Sequence, residues 1–287
     1  MASWITLLLA TRRTKPDTPP RMNRIEDRFV TLRSKGQKGL IVYLGAGDPD
    51  LARTRELVLA LDRAGADCVE LGVPFSDPLA DGVVNQLAAQ RGLNSGTTPR
   101  GVLETVAQIR RESQVPVVLY IYYNLIHHYG LERFVAESAQ AGVDGILVLD
   151  LPPEEAGAYE TVMDGAGLAN IYLMAPTTPD ARMATIAARA RGFIYYVSRE
   201  GVTGMQSAVA ADLAGQIARI RAHTTLPIAV GFGISNAAQA RSAAAAADGV
   251  VVGSAVVDRI ARQAQSPEMV AHVAEFVATL AQAIRSP

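Results

Sequence analysis

Residues 117–149 read VVLYIYYNLIHHYGLERFVAESAQAGVDGILVL, and the succession of textures within this stretch decides the fold. Residues 117–122 form an apolar and aromatic run too continuous for a strand with one face in water, so a fully buried strand is expected. An amphipathic stretch at 131–141 reads as a helix, and residues 145–149 are a second buried strand. Buried strand, helix, buried strand is the signature of a parallel βα unit.

Outward from this unit the same alternation recurs. Strands are expected at 40–44, 68–71, 117–122, 145–149, 171–174, 193–197, 228–230 and 249–252. Helices are expected at 51–64, 100–112, 131–141, 153–166, 181–190, 210–223 and 237–246, with one more at 25–34 closing the bottom. Eight such units without a second core predict an α/β fold of the (β/α)8 TIM barrel type, one domain over residues 23–287. Residues 1–22 form an N-terminal extension. Its apolar segment, 5–10, is too short to span a bilayer, and 11–21 has too little apolar surface to fold, so disorder is expected, with Met22 an alternative start.

The chain of 287 residues carries 27 Lys and Arg against 28 Asp and Glu. That balance gives no bulk attraction to nucleic acid or an anionic membrane, so an anionic ligand has to be captured locally. The single cysteine, Cys68, cannot form an internal disulfide, and His127, His128, His223 and His272 lack zinc-ligand spacing. A cytoplasmic, metal-free protein is the expectation, with His127 and His128 in a surface loop.

In a barrel, chemistry belongs at the C-terminal strand ends. Glu70 lies inside the second strand, where burying a carboxylate costs several kcal/mol unless it is paired, neutralised or used. It is a candidate acid/base; the alternative is a structural carboxylate satisfied by loop amides. The following loop, residues 72–82, is stiffened by Pro74 and Pro78 and presents Asp77 and Asp81. Asp77 reads as a turn residue, and Asp81 as a second catalytic carboxylate or a helix cap. Gly231-Phe232-Gly233-Ile234-Ser235 and Gly253-Ser254 follow the last two strands, where barrels often bind phosphate through backbone amides; tight turns are the alternative. The segment around 198–204, with Gly201 and Gly204, reads as a lid or as an ordinary loop. Among the strand tyrosines, Tyr195 and Tyr196 must face opposite ways, so only one enters the barrel.

Residues 70–82, ELGVPFSDPLADG, resemble the signature of tryptophan synthase alpha subunits along its whole length. Gly47-Asp48-Pro49, Tyr122-Tyr123-Asn124, Asp150 to Glu155 and Gly201 to Gly204 add to the resemblance, which runs from about Asn23 to the C-terminus. It implies retro-aldol cleavage of indole-3-glycerol phosphate to indole and D-glyceraldehyde 3-phosphate. Glu70 would be the general acid/base, Asp81 would bind the indole N–H, and Tyr195 would position Glu70. Tyr43, Tyr122 and Thr203 would contact substrate, with Gly204, Phe232, Gly233, Ser235, Gly253 and Ser254 around the phosphate. The chain itself would need no cofactor. Its implied partner is a beta subunit holding pyridoxal phosphate, in an α2β2 assembly that channels indole.

This sequence departs from the common family pattern at Gly45, at Tyr120 where an aliphatic side chain often lines the indole pocket, at Leu125 and at Glu200. Three other readings compete: a free-standing lyase releasing indole, a non-catalytic subunit activating a beta partner, and another phosphate-binding barrel such as an isomerase. The last would share the two glycine sites but lack residues 70–82.

Overall fold

The computed structural model describes residues 23–198, 206–231 and 233–285, the side chains of 206–212 excepted. Eight strands, β1 (Gly39–Gly45), β2 (Cys68–Gly72), β3 (Val117–Ile121), β4 (Gly145–Val148), β5 (Ala169–Met174), β6 (Ile194–Val197), β7 (Ile228–Gly231) and β8 (Gly249–Val252), form a closed barrel in sequence order. Every pairing is parallel, and β1 closes onto β8 through Gly39↔Gly249 and Val42↔Val252. The expected strands agree with these to within two residues at every end.

The helices are α1 (Arg24–Ser34), α2 (Leu51–Arg63), α3 (Val83–Asn94), α4 (Pro99–Ile109), α5 (Tyr123–Tyr129), α6 (Leu131–Ala141), α7 (Gly157–Ala166), α8 (Asp180–Arg189), α9 (Gln206–Arg221), α10 (Ala237–Ala246), α11 (Ser254–Gln263) and α12 (Met269–Arg285). Four of these, α3, α5, α11 and α12, lie outside the expected set. The surface-loop expectation for His127 and His128 is corrected in part: both are exposed, but on α5. Helix α7 starts at Gly157 instead of residue 153, because Glu155 and Ala156 donate to the carbonyls of Pro152 and Pro153 in a turn.

The two-residue period of a strand sorts side chains between two cores. Outward positions such as Leu40, Val42, Leu44, Val69, Leu71, Leu119, Tyr196 and Val250 pack under the helices in the larger cluster. Inward positions Ile41, Cys68, Val118, Leu147, Ile171, Phe193, Ala229 and Val251 make a separate floor, sealed from below by Ile25, Phe29 and Leu32 of α1. Two residues further along each strand come Tyr43, Glu70, Tyr120, Leu149, Leu173, Tyr195, Gly231 and Gly253. The same arithmetic that fills the floor with apolar groups therefore delivers one residue per strand to the layer above it.

Three aspartates, Asp67 and Asp144 buried and Asp248 partly so, finish the bottom. Asp67 Oδ2 accepts the Leu40 N–H at 2.8 Å, Asp144 Oδ2 that of Val117 at 2.8 Å, and Asp248 Oδ2 that of Ile228 at 2.9 Å. Each carboxylate, just before β2, β4 or β8, satisfies an N–H at or next to the start of a neighbouring strand, a donor that would otherwise lack a partner. Asp144 also pairs with Arg24 and Arg110, and Asp67 with Arg28 and Arg285.

Candidate active site

The layer above the floor lines a cavity of about 590 Å³ at the C-terminal end of the barrel. Glu70, from β2, is 1 % exposed, and its Oε1 has no hydrogen-bond partner among the described residues. A lone carboxylate so buried disfavours its charged form, and desolvation pushes Glu70 up to about 8. It is therefore an acid that favours its protonated form at neutral pH yet can lose its proton near that range. Among the described residues no loop amide bonds Oε1, as the alternative of a satisfied structural carboxylate would need.

Asp81 is held differently. Tyr120 and Tyr122, two apart and therefore on the same inward face at the end of β3, donate to Oδ1 at 3.0 Å and Oδ2 at 2.8 Å. The Tyr122 hydroxyl in turn accepts the Ala80 N–H at 2.9 Å, tying the loop to β3 twice. Burial raises the Asp81 carboxyl, while hydrogen bonds from Tyr122, Tyr120 and Asn85 pull it back. The helix-cap reading fails: α3 begins at Val83 after Gly82, with no side-chain cap bond. Asp77 is exposed, with its carbonyl accepting from Leu79 in a turn and its carboxylate bonded to the Ser76 hydroxyl.

Two glycines make room for the aromatic wall. A Cβ on Gly72 would lie 2.2 Å from the Tyr43 hydroxyl oxygen, and one on Gly231 would lie 2.4 Å from that of Tyr195. Only glycine leaves space for these rings to lie across the neighbouring strand. Tyr43 meets Tyr120 edge-on, with centroids 5.0 Å apart. Burial, and then the nearby Asp81 and Glu70 carboxylates, hold Tyr43 and Tyr195 well above the usual phenol range, so both stay hydrogen-bond donors. Tyr196 packs in the outer core, as alternation requires.

At the other end of the cavity lie Gly233, Ile234, Gly253 and Ser254. Gly253 precedes α11 without a side-chain cap, leaving first-turn amides open to an anion. Of the residues expected at the site, Glu70, Asp81, Tyr195, Tyr43, Gly233, Gly253 and Ser254 line this one cavity. Tyr122 stands behind Asp81 and does not line it. Ser235 does not line it either; its N–H and hydroxyl both donate to Gln239 Oε1 on α10. Thr203, Gly204, Phe232, Glu200 and most of the expected lid lie outside the described residues. The sequence reading missed Asn85, Leu149, Leu173, Met174 and Thr178. Counting two residues on from each inward floor position would have found Leu149 and Leu173; nothing local singles out Asn85 or Thr178.

The sequence model of the tryptophan synthase alpha chain family matches residues 29–285. The tryptophan synthase alpha chain of Citrifermentans bemidjiense is 51% identical over 263 residues, 92% of this chain and 98% of that one. Among solved structures, tryptophan synthase subunit alpha from Legionella pneumophila superimposes with a TM-score of 0.85 at 37% identity, covering 92% of this chain and 98% of the other. A chain of the tryptophan synthase complex from Pyrococcus furiosus matches with a TM-score of 0.77 at 37% identity, covering 85% and 98%.

Proposed function

This chain belongs to the tryptophan synthase alpha chain family, whose reaction is the cleavage of indole-3-glycerol phosphate, and we propose that the cavity bounded by Glu70 and Asp81 is where it cleaves that substrate. The enzyme is a lyase of tryptophan biosynthesis releasing indole and D-glyceraldehyde 3-phosphate. The observation that carries the assignment of the site is the buried Glu70 carboxyl, without a partner at Oε1 among the described residues, in one cavity with an ionisable Asp81.

Indole C3 must gain a proton before the C3–C3′ bond can break. Protonated Glu70 supplies it, and the positive charge that develops on the ring nitrogen is stabilised by Asp81 accepting the N–H. The resulting Glu70 carboxylate then takes the proton from the 3′-hydroxyl. As the carbonyl forms, the C3–C3′ electrons return to the ring, which neutralises the charge and releases indole. One group gives and regains one proton, so a pKa near the working pH suits it. Tyr195, raised by burial and Glu70, stays protonated and positions that carboxyl. The phosphate sits at Gly233, Gly253 and Ser254, where open amides of α11 complement its charge. Gly204, Phe232 and Thr203 complete the site by resemblance.

No step uses a cofactor in this chain; in this family pyridoxal phosphate belongs to the beta subunit. We assign the chain a beta-subunit partner, supported by its likeness to a chain of the Pyrococcus furiosus complex. Leu79, Val83 and Leu87, 91%, 69% and 54% exposed, form an apolar strip along the Asp81 loop and α3. Such a surface suits burial against another protein, in an α2β2 assembly.

The test is indole release from indole-3-glycerol phosphate by wild type and Glu70→Gln, with and without a tryptophan synthase beta subunit. Cleavage that rises with the beta subunit and vanishes in Glu70→Gln supports the assignment. Fast cleavage without a partner identifies a free-standing lyase, and binding of the beta subunit without any cleavage by wild type overturns the catalytic reading.

A further inference from the structure

Asp81 is bonded more heavily than a carboxylate with a single function requires. A carboxylate offers about four lone-pair directions. Tyr120 takes one on Oδ1 and Tyr122 one on Oδ2. One direction on each oxygen remains for a ligand. Tyr122 stands behind the loop and also holds the Ala80 N–H, so its hydroxyl serves the loop as much as the carboxylate. Tyr120 is different: its ring lines the cavity, its edge contact with Tyr43 fixes it, and its hydroxyl bonds only Asp81 among the hydrogen bonds described.

We propose that Tyr120 is a positioning residue for Asp81, fixing the plane of its carboxylate so that a free acceptor direction is held ready for the indole N–H. The proposal rests on the reading of Asp81 as the group that accepts that N–H. It follows that substrate binds with its ring turned to a single angle, and that the charge forming on the ring meets an acceptor already in place. The Tyr120 hydroxyl also favours the ionised carboxylate against the desolvation that opposes it. The groups facing Asp81 are Tyr43 from β1, Glu70 from β2, Tyr120 and Tyr122 from the end of β3, Asn85 from α3 and Tyr195 from β6. Of these only Glu70 is an acid below the phenol range, and with burial holding it up to about 8 it stays protonated across the acid limb.

The experiment compares wild type, Tyr120→Phe and Asp81→Asn with the beta subunit present, measuring kcat, KM and the pH profile of kcat/KM, with melting temperatures as a check on folding. Phenylalanine keeps the ring and its contact with Tyr43 and removes only the hydroxyl. Tyr120→Phe should lower kcat by about three- to tenfold with KM within about twofold, because the lost interaction matters most as charge develops. Its acid limb should move up by roughly half to one pH unit, since Asp81 loses a donor to its charged form. An unchanged kcat, or a lower kcat with the acid limb in place, overturns the proposal and leaves Tyr120 as packing. If Asp81→Asn retains wild-type kcat, the reading of Asp81 fails and this proposal with it; if Asp81→Asn is inactive while Tyr120→Phe matches wild type, only the proposal for Tyr120 fails.

Discussion

The hydroxyl of Tyr195 lies over Gly231 on the neighbouring strand, so close that a Cβ there would sit 2.4 Å from its oxygen and 3.0 Å from the Val251 Cβ. The smallest side chain is therefore already too large. Gly231→Ala should push the Tyr195 ring aside and press more mildly on Val251 of the floor. The expected result is a fall in kcat of one to two orders of magnitude, roughly what ångström-scale misplacement near a reacting group produces. Thermal unfolding should cost only about 1–2 kcal/mol, within the range for overpacking a site that can yield. Steady-state kinetics together with a melting curve separate the two effects.

Glu70 makes stability depend on pH in a direction opposite to that of a paired carboxylate. Its carboxyl is raised from 4.5 to about 8 by burial, so the folded chain holds a proton that the unfolded chain has already released. The stability this gives is present below about pH 4.5, is lost as pH rises towards 8, and is gone above that. Glu70→Gln removes the penalty, so the variant should be more stable than wild type by a margin that widens from pH 4.5 to 8 and then levels off. At about 1.4 kcal/mol per unit the full margin is on the order of 3–5 kcal/mol. Denaturant melts at several pH values check this, and a margin independent of pH would count against the buried acid. In the same range kcat/KM of wild type should decline above about pH 8, as the proton needed by indole C3 is lost.

The phosphate end makes a separate prediction. Ser254 opens α11 on the cavity wall. Ser254→Ala should raise KM several-fold with kcat nearly unchanged, the pattern expected when a contact equal in ground and transition states is removed. Inorganic phosphate should inhibit wild type competitively and the variant more weakly.

At the opposite end, Asp144 is 2% exposed, pairs with Arg110 at 2.5 Å and Arg24 at 2.8 Å, and accepts the Val117 N–H. Asp144→Ala leaves the Arg110 guanidinium without its carboxylate, bonded only to the Gly142, Ser113 and Val115 carbonyls, and orphans the Val117 N–H. A loss of about 3–5 kcal/mol is expected, as when one partner of a buried pair is removed. The folded fraction should keep its catalytic constants, because the change lies below the apolar floor. Denaturant titration and an activity assay on the same sample test both halves.

Reading the sequence reached much of this because strands buried on both faces are written as unbroken apolar runs, and the eight runs lie where β1 to β8 are found. Helix α3 was harder: VVNQLAAQRGLN has no sustained apolar stripe, since the helix leaves Val83 and Leu87 exposed and buries Ala88 and Gly92. Glu70 announced itself because a charged residue in an apolar strand needs a reason. Asp81 did not, for its alternative as a cap was decided only by tertiary contacts with Tyr120 and Tyr122, about forty residues away in sequence. Ser235 looked like part of a glycine-rich anion loop, yet its hydroxyl is spent on Gln239, a local competition that spacing alone does not resolve. The aspartates at 67, 144 and 248 form a repeat visible in the sequence as Asp one residue before a strand or before its opening glycine, and the repeat became meaningful only with the strand N–H groups they serve.

Closure of the barrel also sets an order of assembly. Strand β1 has its second neighbour in β8, and Asp67 reaches Arg285 across 218 residues of chain. As the chain leaves the ribosome, β1 therefore presents an unpaired parallel edge until nearly the whole sequence has been made, the situation in which open sheet edges pair wrongly. The last strand to arrive is also the one that leads into Gly253 and Ser254. Completion of the cavity and protection of the exposed edge are thus the same event, and a nascent chain able to bind substrate has already passed its period of greatest danger from aggregation.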